Sequence, residues 1–317
     1  MAASTAWCCY DQELADPNHV AAIRRLQPGM VRWFCSVDRH VLTNSATAWP
    51  WKVRYGQAWR ALADVGATLV VQLQMKRPDW TAGDTGNVVG ATAWRAGSRH
   101  GWPQDPDAKW VPFVRELRYQ LDSYPLAKTL YGAWNEPDWR HDWPWARPKH
   151  ANAPAPVVEW LSGQWLWWPL PPAPPFGWSG GQKRLADLRS RLPELTWTSD
   201  GVGTGSPDWL SMTAADPTIS VIDVHGYYGD RVADMVTHTR LVVEEFDRAR
   251  PGSNLPIVLG EFGEDANGTP FSPEWQARTQ LLEGELERLY PGRVLGMCAH
   301  LQGTRDGTSF PALWQVL

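Results

Sequence analysis

The stretch Tyr55–Gln74, YGQAWRALADVGATLVVQLQ, holds one complete change of structure. Tyr55–Asp64 reads as a helix. It stops at Gly66, because a glycine just past the last turn accepts the left-handed conformation in which helices commonly end. Thr68–Gln74 (TLVVQLQ) is rich in β-branched residues and reads as a buried strand. The same exchange recurs in both directions. Further strands are expected at Ala6–Tyr10, Met30–Cys35, Thr129–Trp134, Leu195–Ser199, Ile219–His225, Pro256–Gly260 and Val294–Leu301.

Helices are expected between them. Pro17–Leu26 has Asp16 as N-cap and Pro17 at its first position. Lys109–Tyr124 carries Trp110, Phe113, Val114, Leu117 and Leu121 at helical spacing. Lys183–Arg191 and Asp208–Ala214 follow. Arg231–Arg248 is stopped by Pro251-Gly252, and Pro273–Leu289 by Pro291-Gly292. Repeated strand–helix units imply a parallel sheet covered by helices. Eight of them in 317 residues match an α/β fold of (β/α)8 TIM-barrel type, which takes roughly 250 residues plus loop insertions. One barrel domain is expected over residues 1–317. An open doubly wound sheet is the alternative. It would be favoured by a glycine-rich turn after the first strand, and neither GxGxxG nor GxxxxGK[ST] stands there.

Residues 137–182 break the pattern, with eight Trp and ten Pro after the fourth strand. Loops of this length without a purpose are uncommon. Proline restricts the backbone, so an ordered insertion is expected. It reads equally well as a self-packing Trp subdomain and as a wall of a binding cleft. The whole chain holds 22 Trp, and a buried Trp and a ligand-stacking Trp are the same letter. Trp33, Trp80 and Trp134 are expected at or near strand ends, where a cleft would open.

Charge excludes some classes. Lys and Arg number 30 against 34 Asp and Glu, with no long run of one sign, so no nucleic-acid partner and no anionic-membrane surface are expected. The apolar runs, such as Ala67–Leu73, fall far short of the ~20 residues of a membrane span. The N-terminal MAASTAWCCYDQELADP has neither a basic nor an apolar leader segment. A cytoplasmic chain, or a secreted one with its leader removed, is the expectation. Cys8, Cys9, Cys35 and Cys298 make no disulfide framework in a chain of this length. They read as buried free thiols in strands.

In such a barrel the reacting groups stand at the C-terminal ends of the strands. The fourth strand leads into Trp134-Asn135-Glu136-Pro137-Asp138, and the seventh into Gly260-Glu261-Phe262-Gly263. The sixth carries Asp223-Val224-His225-Gly226-Tyr227, and the second Val31-Arg32-Trp33. Glu136 and Glu261 therefore end strands that stand almost opposite each other. A glutamate directly after an apolar strand has no ordinary packing use. Paired carboxylates suit glycoside hydrolysis, one donating a proton to the leaving oxygen and one attacking or assisting at the sugar carbon.

WNEPD at the fourth strand and GEFG at the seventh resemble clan A of the glycoside hydrolases, the cellulase-like family 5 and family 39 type. The resemblance extends to Val31-Arg32, to the Pro78-Asp79-Trp80 loop and to His225-x-Tyr227. It implies a retaining mechanism, with Glu136 as general acid/base and Glu261 as nucleophile. Asn135 would bond the sugar 2-hydroxyl. Arg32 and Tyr227 would hold Glu261 ionised, and His225 would lie near the acid/base or the substrate. Apolar, Trp-lined surroundings would favour the protonated form of Glu136. The implied partner is an oligo- or polysaccharide, with no cofactor. Two departures bear on the sugar. The eighth strand ends Ala299-His300-Leu301-Gln302 without the group's Trp, and the third ends Gln74-Met75-Lys76 without the His often seen there. Gln74, Lys76, His300 or Gln302 could supply polar contacts instead, and Trp80, Trp134 and Trp139 stacking surface.

Simpler readings stand beside these. Arg32 suits a structural ion pair in the barrel mouth as well as a catalytic role. His225 and Tyr227 suit satisfied polar residues at a strand end. Asp223 reads as a structural hydrogen-bond acceptor. Asp265-x-Asn267-Gly268 lacks the distal Glu of a calcium loop, and no metal is expected. A metal-dependent hydrolase would want His-x-His after the first strand, where Trp7-Cys8-Cys9-Tyr10 stands. A non-catalytic carbohydrate-binding barrel is the second functional reading, motivated by the Trp excess together with the missing Trp after the eighth strand and the missing His after the third. Oligomeric state is not legible.

Overall fold

A computed structural model describes residues 6–36, 51–74, 81–82, 102–103, 107, 110–133, 157–161, 164–168, 177–202, 207–226, 231–262 and 273–299. Eight strands close into a parallel barrel in which every strand pairs with its neighbours in the chain, and the last with the first. They are β1 (Ala6–Tyr10), β2 (Met30–Ser36), β3 (Thr68–Gln74), β4 (Lys128–Gly132), β5 (Trp197–Thr198), β6 (Ile219–Gly226), β7 (Ile257–Phe262) and β8 (Val294–Ala299). Helices between them are α1 (Pro17–Leu26), α2 (Trp51–Asp64), α3 (Val111–Leu121), α4 (Gly177–Ser190), α5 (Pro207–Ala214), α6 (Val232–Ala249) and α7 (Pro273–Leu289). The (β/α)8 expectation is met. Two strands separate β4 from β7 on one side of the barrel and four on the other.

The caps predicted from sequence form where their chemistry allows. Asp16 accepts from the Asn18 amide at 2.8 Å ahead of Pro17. Gly66, at φ +67°, turns the chain from α2 into β3. Several boundaries move. Helix α2 starts at Trp51 and α4 at Gly177, earlier than the apolar spacing suggests. Strand β5 shrinks to two residues, and Asp200 and Gly201 take the left-handed conformation one residue after it. Within 137–182 the described residues are the start of α4 and a hairpin of Val157–Leu161 with Gln164–Trp168, in which Trp160 faces Trp165 in register.

Alternation along the strands sorts two cores. Ala6, Cys8, Met30, Phe34, Val70, Leu130, Val221, Val258 and Cys298 fill the barrel interior. The opposite parity, Trp7, Val31, Trp33, Leu69, Val71 and Tyr131 among it, packs outward against the helices. All four cysteines are buried and none is in a disulfide.

Trp33 corrects a sequence expectation that placed it beside the cleft. It is fully buried, its ring centroid 4.9 Å from that of Tyr55 and 6.0 Å from that of Trp59, and its indole N–H donates to Asp11 at 2.8 Å. Trp7, Trp51, Trp59, Trp110, Trp197 and Trp209 are also no more than 1% exposed. Each of the seven belongs to the layer between barrel and helices. This part of the Trp excess is packing.

Candidate active site

Above the apolar floor the barrel interior becomes charged. Parity on β2 sends Arg32 inward between Met30 and Phe34, and parity on β3 sends Gln72 inward after Val70. Arg32 donates to Asp223 on β6 through Nη1 at 2.7 Å and to Gln72 through Nη2 at 2.6 Å. Its Nε stands 3.8 Å from Glu261. His225 lies 3.5 Å from Asp223 through Nε2 and 3.5 Å from Glu261 through Nδ1. Two cations and two carboxylates thus alternate around a square, each cation next to both carboxylates. All four are nearly fully buried, Glu261 at 3% exposure being the most open.

The charges support one another. Burial works against Arg32, yet Asp223 and Glu261 hold it above its usual range. Burial would raise Asp223, but Arg32 and His225 bring it down to about 2. Burial would lower His225. Glu261 and Asp223 outweigh that and the repulsion of Arg32, and raise it to about 10. His225 is therefore an imidazolium at neutral pH, with both ring nitrogens as donors.

Glu261 reaches the square through an irregularity that the sequence does not announce. A strand ending at Gly260 is expected, whereas β7 runs on to Phe262. On the β6 side Val224 pairs with Leu259 and His225 with Glu261. On the β8 side Leu259 pairs with Met297 and Phe262 with Ala299. Strand β7 carries one extra residue against both neighbours, a bulge of the kind that re-aims a side chain. Gly260 makes it possible. A Cβ there would lie 2.0 Å from both Arg32 Nη1 and Asp223 Oδ1, so only glycine leaves room for the pair beneath Glu261. Its carbonyl accepts from the Cys8 thiol at 3.3 Å. Burial pushes that thiol well up, which keeps it a donor.

Of the residues expected at the site, Arg32, His225 and Glu261 come together, and Asp223 is the hydrogen-bond acceptor foreseen for it. Gln74 sits at the C-terminal end of β3, paired with Ser36. Trp80, Trp134, Asn135, Glu136, Trp139, Tyr227 and His300 lie outside the described residues. Sequence reading missed Gln72 and Gly260. Strand parity was the available signal for Gln72.

The barrel superposes on solved enzymes. An endo-beta-1,4-mannanase from Thermotoga petrophila matches at TM-score 0.51 and 11% identity, over 94% of this chain and 68% of its own. A GH30 endoxylanase from Clostridium papyrosolvens matches at 0.54 and 9%, over 93% and 64%. A GH5_18 protein from Bifidobacterium longum matches at 0.54 and 13%, over 94% and 69%. The chain has the barrel fold of these glycoside hydrolases. It spans about two thirds of the length of each of the three. No family model matches the sequence. No curated protein matches it either.

Proposed function

We propose that the protein is a retaining glycosidase acting on a β-linked oligo- or polysaccharide. The observation that carries this reading is the Glu261 carboxylate, aimed by the β7 bulge into the C-terminal end of the barrel and faced by Arg32 and by His225 as an imidazolium. In the first step Glu261 attacks the anomeric carbon while Glu136 gives its proton to the departing glycosidic oxygen, leaving a glycosyl ester on Glu261. In the second, water attacks the same carbon, Glu136 takes its proton, and Glu261 leaves as carboxylate. Asn135 holds the sugar 2-hydroxyl and Tyr227 joins the cations around the nucleophile. Trp80, Trp134, Trp139, Gln74 and His300 line the sugar subsites. The chemistry needs no cofactor or metal.

The family 5 and family 30 neighbours support the class of reaction. A purely carbohydrate-binding barrel drew part of its support from the Trp excess, and seven of those Trp serve the core. The test is hydrolysis of a panel of β-linked polysaccharides and aryl glycosides, with the first-formed product followed by NMR. Retained configuration at the anomeric carbon is expected. An inverted first product, or binding of glycans with no hydrolysis across the panel, would overturn the reading.

A further inference from the structure

We infer that Asp200, locked by Arg189, is the positioning residue for the end of β4, the strand that carries the acid/base proposed above; the inference rests on that reading. The backbone ladder between β4 and β5 is short. Tyr131 pairs with Trp197 and its amide donates to the Thr196 carbonyl at 2.9 Å. Two residues further on, the Ala133 amide is taken by a side chain: Asp200 Oδ1 accepts it at 2.5 Å. On its β3 side β4 stays paired as far as Gly132, opposite Gln72; on its β5 side the chain at Ala133, three residues before Glu136, is held by a carboxylate.

That carboxylate is itself held. Its other oxygen pairs with Arg189 of α4, which is fully buried behind the barrel. Arg189 also bonds Asp216 at 2.6 Å. Asp216 takes the Gln182 amide at 2.9 Å, the Thr218 backbone amide at 2.9 Å and the Thr218 hydroxyl at 2.6 Å. Asp200 stands at φ 68°, a conformation that aspartate adopts more readily than most residues, and its amide donates to Thr198 Oγ1 at 3.2 Å. Gly201 follows at φ 78°, where a Cβ would lie 2.2 Å from His225 Cε1. One two-residue turn thus braces the end of β4 on one side and the imidazole beside Glu261 on the other. It spans the two halves of the reaction, and a misplacement of about 1 Å between such groups can cost on the order of 10²-fold in rate.

The test compares Asp200→Asn with Asp216→Asn, which breaks a charge pair with the same arginine without touching β4. Both variants are expected to melt earlier than the wild type. Only Asp200→Asn is expected to lose about tenfold or more in kcat/KM on glycosides with poor leaving groups while losing less than about threefold in kcat/KM on a dinitrophenyl glycoside, because kcat/KM reports the first step, where protonation matters only for a poor leaving group. Equal losses on the two substrates, or the same selectivity in Asp216→Asn, would overturn the inference. Should Asp200→Asn not fold, Thr198→Val removes the hydroxyl under the Asp200 amide, which also stands 3.5 Å from Asp223; the same ratio decides the question, because a loss through Asp223 and Glu261 falls on both substrates alike. There a smaller selective loss is expected, and an unchanged ratio counts against it. A wild type inert on every glycoside ends the glycosidase reading and this inference together. An active wild type with unselective variants ends only this inference.

Discussion

Two buried arginines organise this molecule, and they differ in company. Arg189 lies outside the barrel between α4 and β5, one cation for two aspartates that also take backbone amides, the Gln182 amide and the Thr218 hydroxyl. Arg32 lies inside it, and its two carboxylates are shared with a second cation, His225. In the outer cluster the hydrogen bonds tie strand ends and helices together. In the inner one, charge is balanced two against two, and one corner, Glu261, stands at the C-terminal end of the barrel where such folds carry out chemistry. A buried ion pair is thus a fastener in one place and, on the function proposed above, reaction machinery in the other. The surrounding elements make the difference.

Substitutions separate the two. Glu261→Gln is expected to lower kcat on an activated aryl glycoside by on the order of 10⁴-fold or more, read by initial rates. Arg189→Met leaves two aspartates buried without their cation and is expected to cost about 3–5 kcal/mol of stability, read by urea unfolding. Gly260→Ala forces a Cβ against both Arg32 and Asp223 beneath Glu261. A loss of roughly 10²-fold in kcat/KM is expected, and wild-type rates in that variant would show that the bulge does not aim Glu261.

The smallest effect is a pH dependence that belongs to the inner cluster. His225 sits at about 10 in the folded chain against an ordinary value of about 6.5. Its contribution to stability is complete below about 6.5 and is lost as pH rises through about 10. Asp223, at about 2, contributes stability above about 4 that is lost as pH falls toward 2. Melting temperature should therefore fall by a few degrees between pH 6.5 and 10, and fall less in His225→Gln. Equal slopes in the two proteins would contradict a charged His225.

The barrel was legible because it rests on local patterns. TLVVQLQ at 68–74 and the Gly66 stop need no distant residue to be understood, and the parity that turns Arg32 inward follows from β2 alone. Glu261 was legible as a strand-end carboxylate. The bulge was not: a glycine before it reads as the end of a strand, and only the pairing with β6 and β8 reveals the extra residue. The Arg189 cluster left no trace in the sequence either, since Asp200 and Asp216 meet that arginine only through the packing of α4 on the barrel. Trp33 was misplaced for a different reason. A strand-end Trp facing the helices and one facing a sugar are separated only by one step of parity, and the strand's end alone does not fix which.

The central claim is that Glu261 is the nucleophile of a retaining glycosidase. It is tested most directly by incubating the protein with dinitrophenyl 2-deoxy-2-fluoro-β-glycosides of several sugars and locating any covalent adduct by peptide mass spectrometry. One glycosyl unit on the peptide containing Glu261 is predicted, and none in Glu261→Gln. An adduct on another residue, or steady hydrolysis of the parent glycosides with inverted product and no adduct, would contradict it.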